Sequence, residues 1–135
     1  MTDHPTAVLQ GLQVLIADDD VDACELMKFT LEMYGVNVQV TFSAHQAYEA
    51  FVRSKPHIVI SDIAMPDEDG YSLIRRMREF ELISGSITPA IAVTANDIAS
   101  EDEVRLAGFQ KRLLKPFDLD ELVAVVAKLA ETDFS

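Results

Sequence analysis

The feature that most constrains the fold of this chain is a regular alternation of short apolar runs with amphipathic stretches. The runs at 14–17 and 58–62 have the length of strands and are rich in aliphatic residues, which is typical of strands buried on both faces. The run at 36–40 alternates polar and apolar residues, as a half-exposed edge strand does. Two further strands are predicted at 89–94 and 112–114, and Pro89 is tolerable because it stands first in its strand.

A helix is predicted after each of these five strands. Capping residues predict the first, second, fourth and fifth helices at about 21–34, 44–53, 101–107 and 119–129, and apolar spacing supports the first and the fifth. Apolar spacing alone predicts the third helix at about 71–80. The capping residues are Asp20, Ser43 with Gln46, Ser100 with Glu103, and Asp118 with Glu121.

This alternation of strands and helices predicts the fold class. Five β-α units give a parallel sheet with helices on both faces, and right-handed crossovers leave few possible topologies. We therefore predict an α/β protein with a flavodoxin-like, doubly wound, five-stranded parallel sheet in the strand order 2-1-3-4-5. At 135 residues the chain has the size of one domain, predicted at 12–131 between a loose leader at 1–11 and a short tail at 132–135.

Composition limits which classes of binding partner and which cellular compartment are expected. A net charge of −12 disfavours nucleic-acid binding, which depends on lysine and arginine, but it is compatible with a bound divalent cation. No apolar run approaches the roughly 20 residues of a membrane helix, so neither nucleic acid nor membrane is expected as a partner. The single cysteine, Cys24, excludes an internal disulfide and fits a cytoplasmic location.

Polar residues stand at the carboxyl ends of four predicted strands. They are Asp18 and Asp19, Asp62, Thr94 and Lys115, and a parallel sheet would bring all of them to one edge. Three neighbouring carboxylates need a compensating cation, and Mg²⁺ commonly binds through one or two carboxylates. Such an edge suits phosphoryl transfer, in which a carboxylate can itself be the nucleophile. By itself, Asp62 could be a helix cap, a metal ligand or a nucleophile, and Asp18 and Asp19 could be a solvated charge run.

At these residues the chain resembles the receiver domain of two-component response regulators, and it is most similar to receivers of hybrid histidine kinases. The resemblance covers residues 12–131 and keeps four motifs in order. The motifs are Val14-Leu15-Ile16-Ala17-Asp18-Asp19-Asp20, Asp62-Ile63-Ala64-Met65-Pro66-Asp67-Glu68-Asp69-Gly70, Val93-Thr94-Ala95 and Lys115-Pro116-Phe117.

The resemblance implies a metal site. Asp19, Asp62 and the backbone carbonyl of Ala64 would bind Mg²⁺ (or Mn²⁺) directly, and Asp18 would bind it through a water molecule. Asp62 would also be the phosphoacceptor, and it would receive its phosphoryl group from a histidine kinase or a histidine phosphotransfer protein.

The resemblance also assigns roles to the other two strand ends. Thr94 would bond a phosphoryl oxygen and shift the loop behind it, and Lys115 would pair with the phosphoryl group. The peptide bond before Pro116 is expected to be cis. Arg112 stands where the family often carries an aromatic residue or a histidine, so coupling to the surface beyond would have to use Arg112 or backbone movement.

The resulting function is a switch in protein contacts rather than an enzyme, apart from self-catalysed phosphorylation and dephosphorylation of its own aspartate. The implied partners are the phosphoryl donor, a downstream protein and, through the face of the fourth helix, fifth strand and last helix, a second copy.

Two other functions compete with this switch. A pseudo-receiver would bind partners without phosphotransfer. A phosphatase of the haloacid dehalogenase kind would need a second aspartate where Ala64 stands.

Asp67, Glu68 and Asp69 are interpreted as solvated loop acids, and Cys24 as a core residue.

Overall fold

A computed structural model describes residues 4–65, 68–95 and 99–132 of the chain. Within these ranges five strands alternate with six helices. The strands are β1 Gln13–Ala17, β2 Asn37–Thr41, β3 Ile58–Asp62, β4 Ala90–Thr94 and β5 Lys111–Leu114. The helices are α1 His4–Leu9, α2 Val21–Glu32, α3 Ala44–Ser54, α4 Gly70–Ser84, α5 Glu101–Ala107 and α6 Leu119–Thr132. None of the helices in these ranges has the length and hydropathy that a membrane span requires.

The five strands form one parallel sheet in the order β2-β1-β3-β4-β5, which confirms the predicted fold class. β2 lies at an edge, and its side chains alternate between exposed and half-buried until Thr41, as predicted from its pattern. The register pairs Asp62 with Val93 and Thr94 with Leu114. Because all strands run in the same direction, their carboxyl ends lie along one edge of the sheet, called the carboxyl edge below.

Two apolar layers hold the helices on the two faces of the sheet. Alternate strand residues such as Ile16 and Val93 pack with α1, α2 and α6, whereas Leu15 and Ala92 pack with α3, α4 and α5. Each fully buried aliphatic side chain of this kind stabilises the fold by about 2 kcal/mol. The core therefore fixes the sheet rigidly beneath its carboxyl edge.

Three of the four predicted caps are present, the cap at Asp118 stays a prediction, and α6 ends at Thr132, later than the predicted 129. Asp20 and Ser43 each accept a hydrogen bond in the first turn of their helices, and Ser100 forms a complete capping box with Glu103. α2 ends at Glu32, earlier than the predicted 34. α4 is longer than the predicted 71–80, because it begins after an Asp69 cap and ends only at Gly85, whose φ of 86° allows the left-handed turn.

The loose leader predicted at 1–11 is wrong for residues 4–9, which form α1. Leu9 is fully buried in the layer that contains α6, and Leu12 is nearly so. Backbone hydrogen bonds of 2.9 Å from Gly11 to the Gly35 carbonyl and of 2.8 Å from Asn37 to the Leu12 carbonyl continue this attachment. A helix of six residues is too short to give a periodic signal in the sequence, so α1 was not predicted.

We expect Leu9→Ala to lower the free energy of unfolding by about 2 kcal/mol. This is the low end of the range for a buried leucine, because the short α1 can separate from the core without unfolding the rest of the chain. Urea denaturation followed by circular dichroism measures the loss. Leu106→Ala is the control, since Leu106 is 89% exposed and should change stability by less than about 0.5 kcal/mol. Equal, small effects in both variants would contradict a packed α1.

Candidate functional site

Three carboxylates meet at the carboxyl edge of the sheet. Asp18 follows β1 directly and Asp62 ends β3, and these two strands are neighbours. One oxygen from each of Asp18, Asp19 and Asp62 lies within 4.8 Å of the others. Asp18 is 1% exposed and Asp62 is 8% exposed, whereas Asp19 faces solvent. The structure thus brings together the three aspartates predicted from the sequence.

Lys115 provides positive charge beside this cluster. Its Nζ donates a hydrogen bond to Asp18 Oδ2 at 3.3 Å and lies 3.6 Å from Asp62 Oδ2. Burial alone would lower the pKa of Lys115, but Asp18 and Asp62 together raise it above its ordinary value. The ammonium is therefore retained at neutral pH. The peptide bond between Lys115 and Pro116 is cis, as the resemblance predicted.

The charge of Asp62 is only partly compensated. Burial and, next, the neighbouring Asp18 raise the pKa of Asp62 above its ordinary value. Lys115 and a hydrogen bond from the Ala64 N–H to Oδ1, 3.1 Å long, act in the opposite direction. Clustered oxygen donors with a deficit of positive charge are the donor set that suits a hard divalent cation.

Ala64 and Thr94 also lie at this edge. The Ala64 N–H contacts Asp62 directly, which places the start of the β3–α4 loop beside the carboxylate. Thr94 ends β4 and is 5% exposed, and its carbonyl accepts a 2.8 Å hydrogen bond from the Lys115 N–H. The roles predicted for the Ala64 carbonyl and the Thr94 hydroxyl stay predictions.

Backbone and side-chain groups below the edge fix the backbone of Asp18 and Asp62. The Thr41 carbonyl accepts a hydrogen bond from the Asp18 N–H, and the Cys24 thiol donates one of 3.2 Å to the Asp18 carbonyl. Ser61 is fully buried and donates from Oγ to the Asp62 carbonyl at 2.9 Å. Burial and the nearby acids raise the pKa of Cys24 to about 12, so the thiol is protonated and its interpretation as a core residue is confirmed.

Gly70 is a site residue that the sequence analysis missed. A Cβ at this position would lie 2.5 Å from the Asp62 carbonyl oxygen and 3.0 Å from the Ile63 Cα, closer than side chains tolerate. The Gly70 N–H donates to the Ile63 carbonyl at 2.8 Å. In the sequence Gly70 appeared only as the last residue of a quoted motif, although it marks this close approach of α4 to the end of β3.

Of the loop acids interpreted as solvated, Asp69 is exposed and Glu68 is 39% exposed, but both also make hydrogen bonds. Asp69 caps α4 by accepting a hydrogen bond from the Ser72 N–H at 2.9 Å. Glu68 accepts from Ser72 Oγ at 3.1 Å and from Arg76 Nη1 at 3.0 Å. Asp67 lies outside the described residues. The two acids therefore hold the end of the β3–α4 loop against the first turns of α4.

The chain is similar in sequence and in structure to several known proteins. An uncharacterized 14.6 kDa protein of Leptolyngbya boryana is 40% identical over 87% of this chain and 89% of its own length. Hybrid signal transduction histidine kinase D of Dictyostelium discoideum is 34% identical over 92% of this chain, which spans only 8% of that kinase. The solved Francisella response regulator 1452 receiver domain is 29% identical, with a TM-score of 0.79 over 90% of this chain and 98% of that domain.

The family model of the response regulator receiver domain matches residues 14–127, which include all four quoted motifs. The fold, the strand order and the similar proteins agree with this match. The chain therefore belongs to the response regulator receiver family of two-component signalling systems.

Proposed function

We propose that this protein is a phosphorylation-dependent switch in which Asp62 accepts a phosphoryl group and the modification changes contacts with a downstream protein. The observation that carries the proposal is the group of Asp18, Asp19 and Asp62 with Lys115 Nζ 3.3 and 3.6 Å from two of the carboxylates. Receiver domains are in general signalling modules that interact with histidine kinases or phosphotransfer proteins, rather than enzymes acting on a separate substrate.

The proposed step is a displacement at phosphorus. A carboxylate oxygen of Asp62 forms the new P–O bond, the P–N bond of the donor phosphohistidine breaks, and the imidazole leaves with the electron pair. Lys115 pairs with a phosphoryl oxygen, and the Thr94 hydroxyl donates a hydrogen bond to another. The chain catalyses only this modification and its hydrolysis.

The carboxyl edge fits Mg²⁺ (or Mn²⁺), because three oxygen donors face a deficit of positive charge. Asp19, Asp62 and the Ala64 carbonyl would hold the ion directly, and Asp18 would hold it through water. When bound, the ion supplies positive charge to the phosphoryl oxygens.

The partners of this switch are proposed from two surfaces. An apolar groove of about 460 Å³ opens beside Lys115 and is lined by Leu26, Met27 and Phe117, and we assign it to the histidine-bearing donor. The face of α5, β5 and α6 would contact the downstream protein or a second copy of the chain. A phosphohistidine donor of this kind acts in the cytoplasm, where we place the protein.

Intact-mass measurement after incubation with acetyl phosphate, with and without Mg²⁺, tests the proposal. We expect a gain of one phosphoryl group that requires Mg²⁺ and is absent from Asp62→Asn. Asp69→Asn is the matched control, since Asp69 caps α4 and should leave the gain intact. An unmodified wild-type protein in every sample would reject the proposal and favour an interaction module without phosphotransfer.

A further inference from the structure

A groove opens at the amino edge of the sheet, where β3 and β4 begin, between the carboxyl ends of α3 and α4. It measures about 290 Å³, and its apolar lining includes Phe51, Phe80 and Ile87. The rings of Phe51 and Phe80 pack edge to face with centroids 5.9 Å apart, and Ile87 is 69% exposed. Since a cavity of about 150 Å³ already holds a benzene ring, the groove has room for one aromatic side chain.

The charge of this groove is opposite in sign to the net charge of the whole chain, which is −12. Lys55 lines the groove and is exposed. Glu81 is the only acid among the described residues that line it, and its two oxygens accept hydrogen bonds from Arg78 Nη1 and the Thr88 N–H. Because Glu81 is compensated in this way, the ammonium of Lys55 sets the charge of the groove. The groove therefore suits an apolar side chain that has a carboxylate beside it.

The exposed face of α2 presents this combination of groups. Phe29 of this helix is 65% exposed. Because residues three and four positions apart are neighbours on a helix, the exposed acids Glu25 and Glu32 lie on one side of Phe29. Leu26 and the C-cap residue Met33 lie on its other side and are 53% and 68% exposed. The face thus offers an aromatic side chain with two carboxylates beside it.

The groove and the α2 face lie on opposite faces of the sheet. α2 packs in the apolar layer that contains Ile16, whereas α3 and α4 pack in the layer that contains Leu15. Phe29 therefore cannot reach the groove of its own chain, and a contact between the two surfaces must join two copies. Because each copy has one surface of each kind, such a contact is head-to-tail.

We propose that the groove binds the α2 face of a second copy of the chain. The Phe29 ring of one copy enters the groove beside Ile87 of the next, and a glutamate flanking Phe29 pairs with Lys55. Since the two surfaces differ, each added copy leaves a free groove at one end and a free α2 face at the other, and chains of copies form. The contact does not use the face of α5, β5 and α6, and it does not depend on phosphorylation of Asp62.

Sedimentation velocity of the unmodified protein, without Mg²⁺ or a phosphoryl donor, tests the proposal. A contact built on one side chain and one ion pair is small, so we expect the wild-type sedimentation coefficient to rise with concentration above about 0.1 mM. Phe29→Ser and Ile87→Ser each remove one of the two surfaces, so each variant alone should sediment as a monomer. An equimolar mixture of the two should form a dimer and nothing larger, because Ile87→Ser supplies the α2 face and Phe29→Ser supplies the groove.

Lys55→Glu tests the ion pair. It places a like charge opposite Glu25 and Glu32 and should also sediment as a monomer. Leu106→Ser is the matched control, because Leu106 is 89% exposed but lies on α5, outside both surfaces, and this variant should associate like the wild type. All four substituted positions are exposed, and circular dichroism of each variant verifies the native fold.

Three results would overturn the proposal. The first is a wild-type protein that is monomeric at every concentration. The second is a mixture of Phe29→Ser and Ile87→Ser that stays monomeric, since the two intact surfaces would then have failed to bind each other. The third is association that is lost in Leu106→Ser and kept in Ile87→Ser, which would place the contact on the α5 face instead.

Discussion

Replacing Glu81 with alanine is expected to lower the free energy of unfolding by about 3 kcal/mol. Glu81 is 6% exposed and pairs with Arg78 at 2.6 Å, and its other oxygen accepts a 2.7 Å hydrogen bond from the Thr88 N–H. The substitution leaves the half-buried Arg78 guanidinium without its counter-ion and the N–H of half-buried Thr88 without its acceptor. This loss is at the low end of the range for removing one partner of a buried ion pair, because Arg78 keeps the Gly108 and Thr88 carbonyls as acceptors.

Glu68→Ala is the control for this prediction. Glu68 forms an ion pair with Arg76 at 3.0 Å, but the two side chains are 39% and 31% exposed, so we expect a loss below about 1 kcal/mol. Urea denaturation of both variants, without divalent cations, measures the difference. Glu81→Gln keeps an acceptor for Thr88 and should fall between Glu81→Ala and the wild type. Equal losses at positions 81 and 68 would mean that burial does not determine the strength of these pairs.

The fold and the cluster of aspartates could be predicted because they depend on periodic and local signals. Aliphatic runs mark strands, and the parallel arrangement follows from the alternation with helices. Once the strands are parallel, their carboxyl ends must share one edge, so Asp18, Asp62 and Lys115 could be placed together without knowledge of any distance. Strand and helix bounds were correct to within a few residues where caps were present.

The contacts that the sequence did not predict join side chains to backbone groups far along the chain. Arg78 bonds a carbonyl 30 residues away, and Arg112 bonds one 13 residues away. A backbone carbonyl has no residue-specific signature, so such partners are invisible in a single sequence. The hydrogen bonds of the loop acids were not predicted for a related reason. Glu68 and Asp69 have the pattern of a solvated charge run, and only the start of α4 shows that both are also bonded.

We expect Gly70→Ala to slow phosphorylation of Asp62 by acetyl phosphate at least tenfold and to cost about 1–3 kcal/mol of stability. The added Cβ would lie 2.5 Å from the Asp62 carbonyl oxygen and 3.1 Å from Ser61 Oγ. Both neighbours belong to the central strand β3, so we expect the clash to displace Asp62 itself rather than a flexible side chain. The rate of mass gain at saturating Mg²⁺ measures the effect.

Gly85→Ala separates the loss of site geometry from the loss of stability. Gly85 ends the same helix, nothing lies within 4 Å of its virtual Cβ, and its φ of 86° makes alanine unfavourable by about 1 kcal/mol. This variant should therefore be destabilised yet phosphorylated at the wild-type rate. Equal rates in the two variants would show that the contact of Gly70 with β3 does not position Asp62. A slow rate in Gly70→Ala alone would identify the amino end of α4 as the support that holds the carboxylate in place.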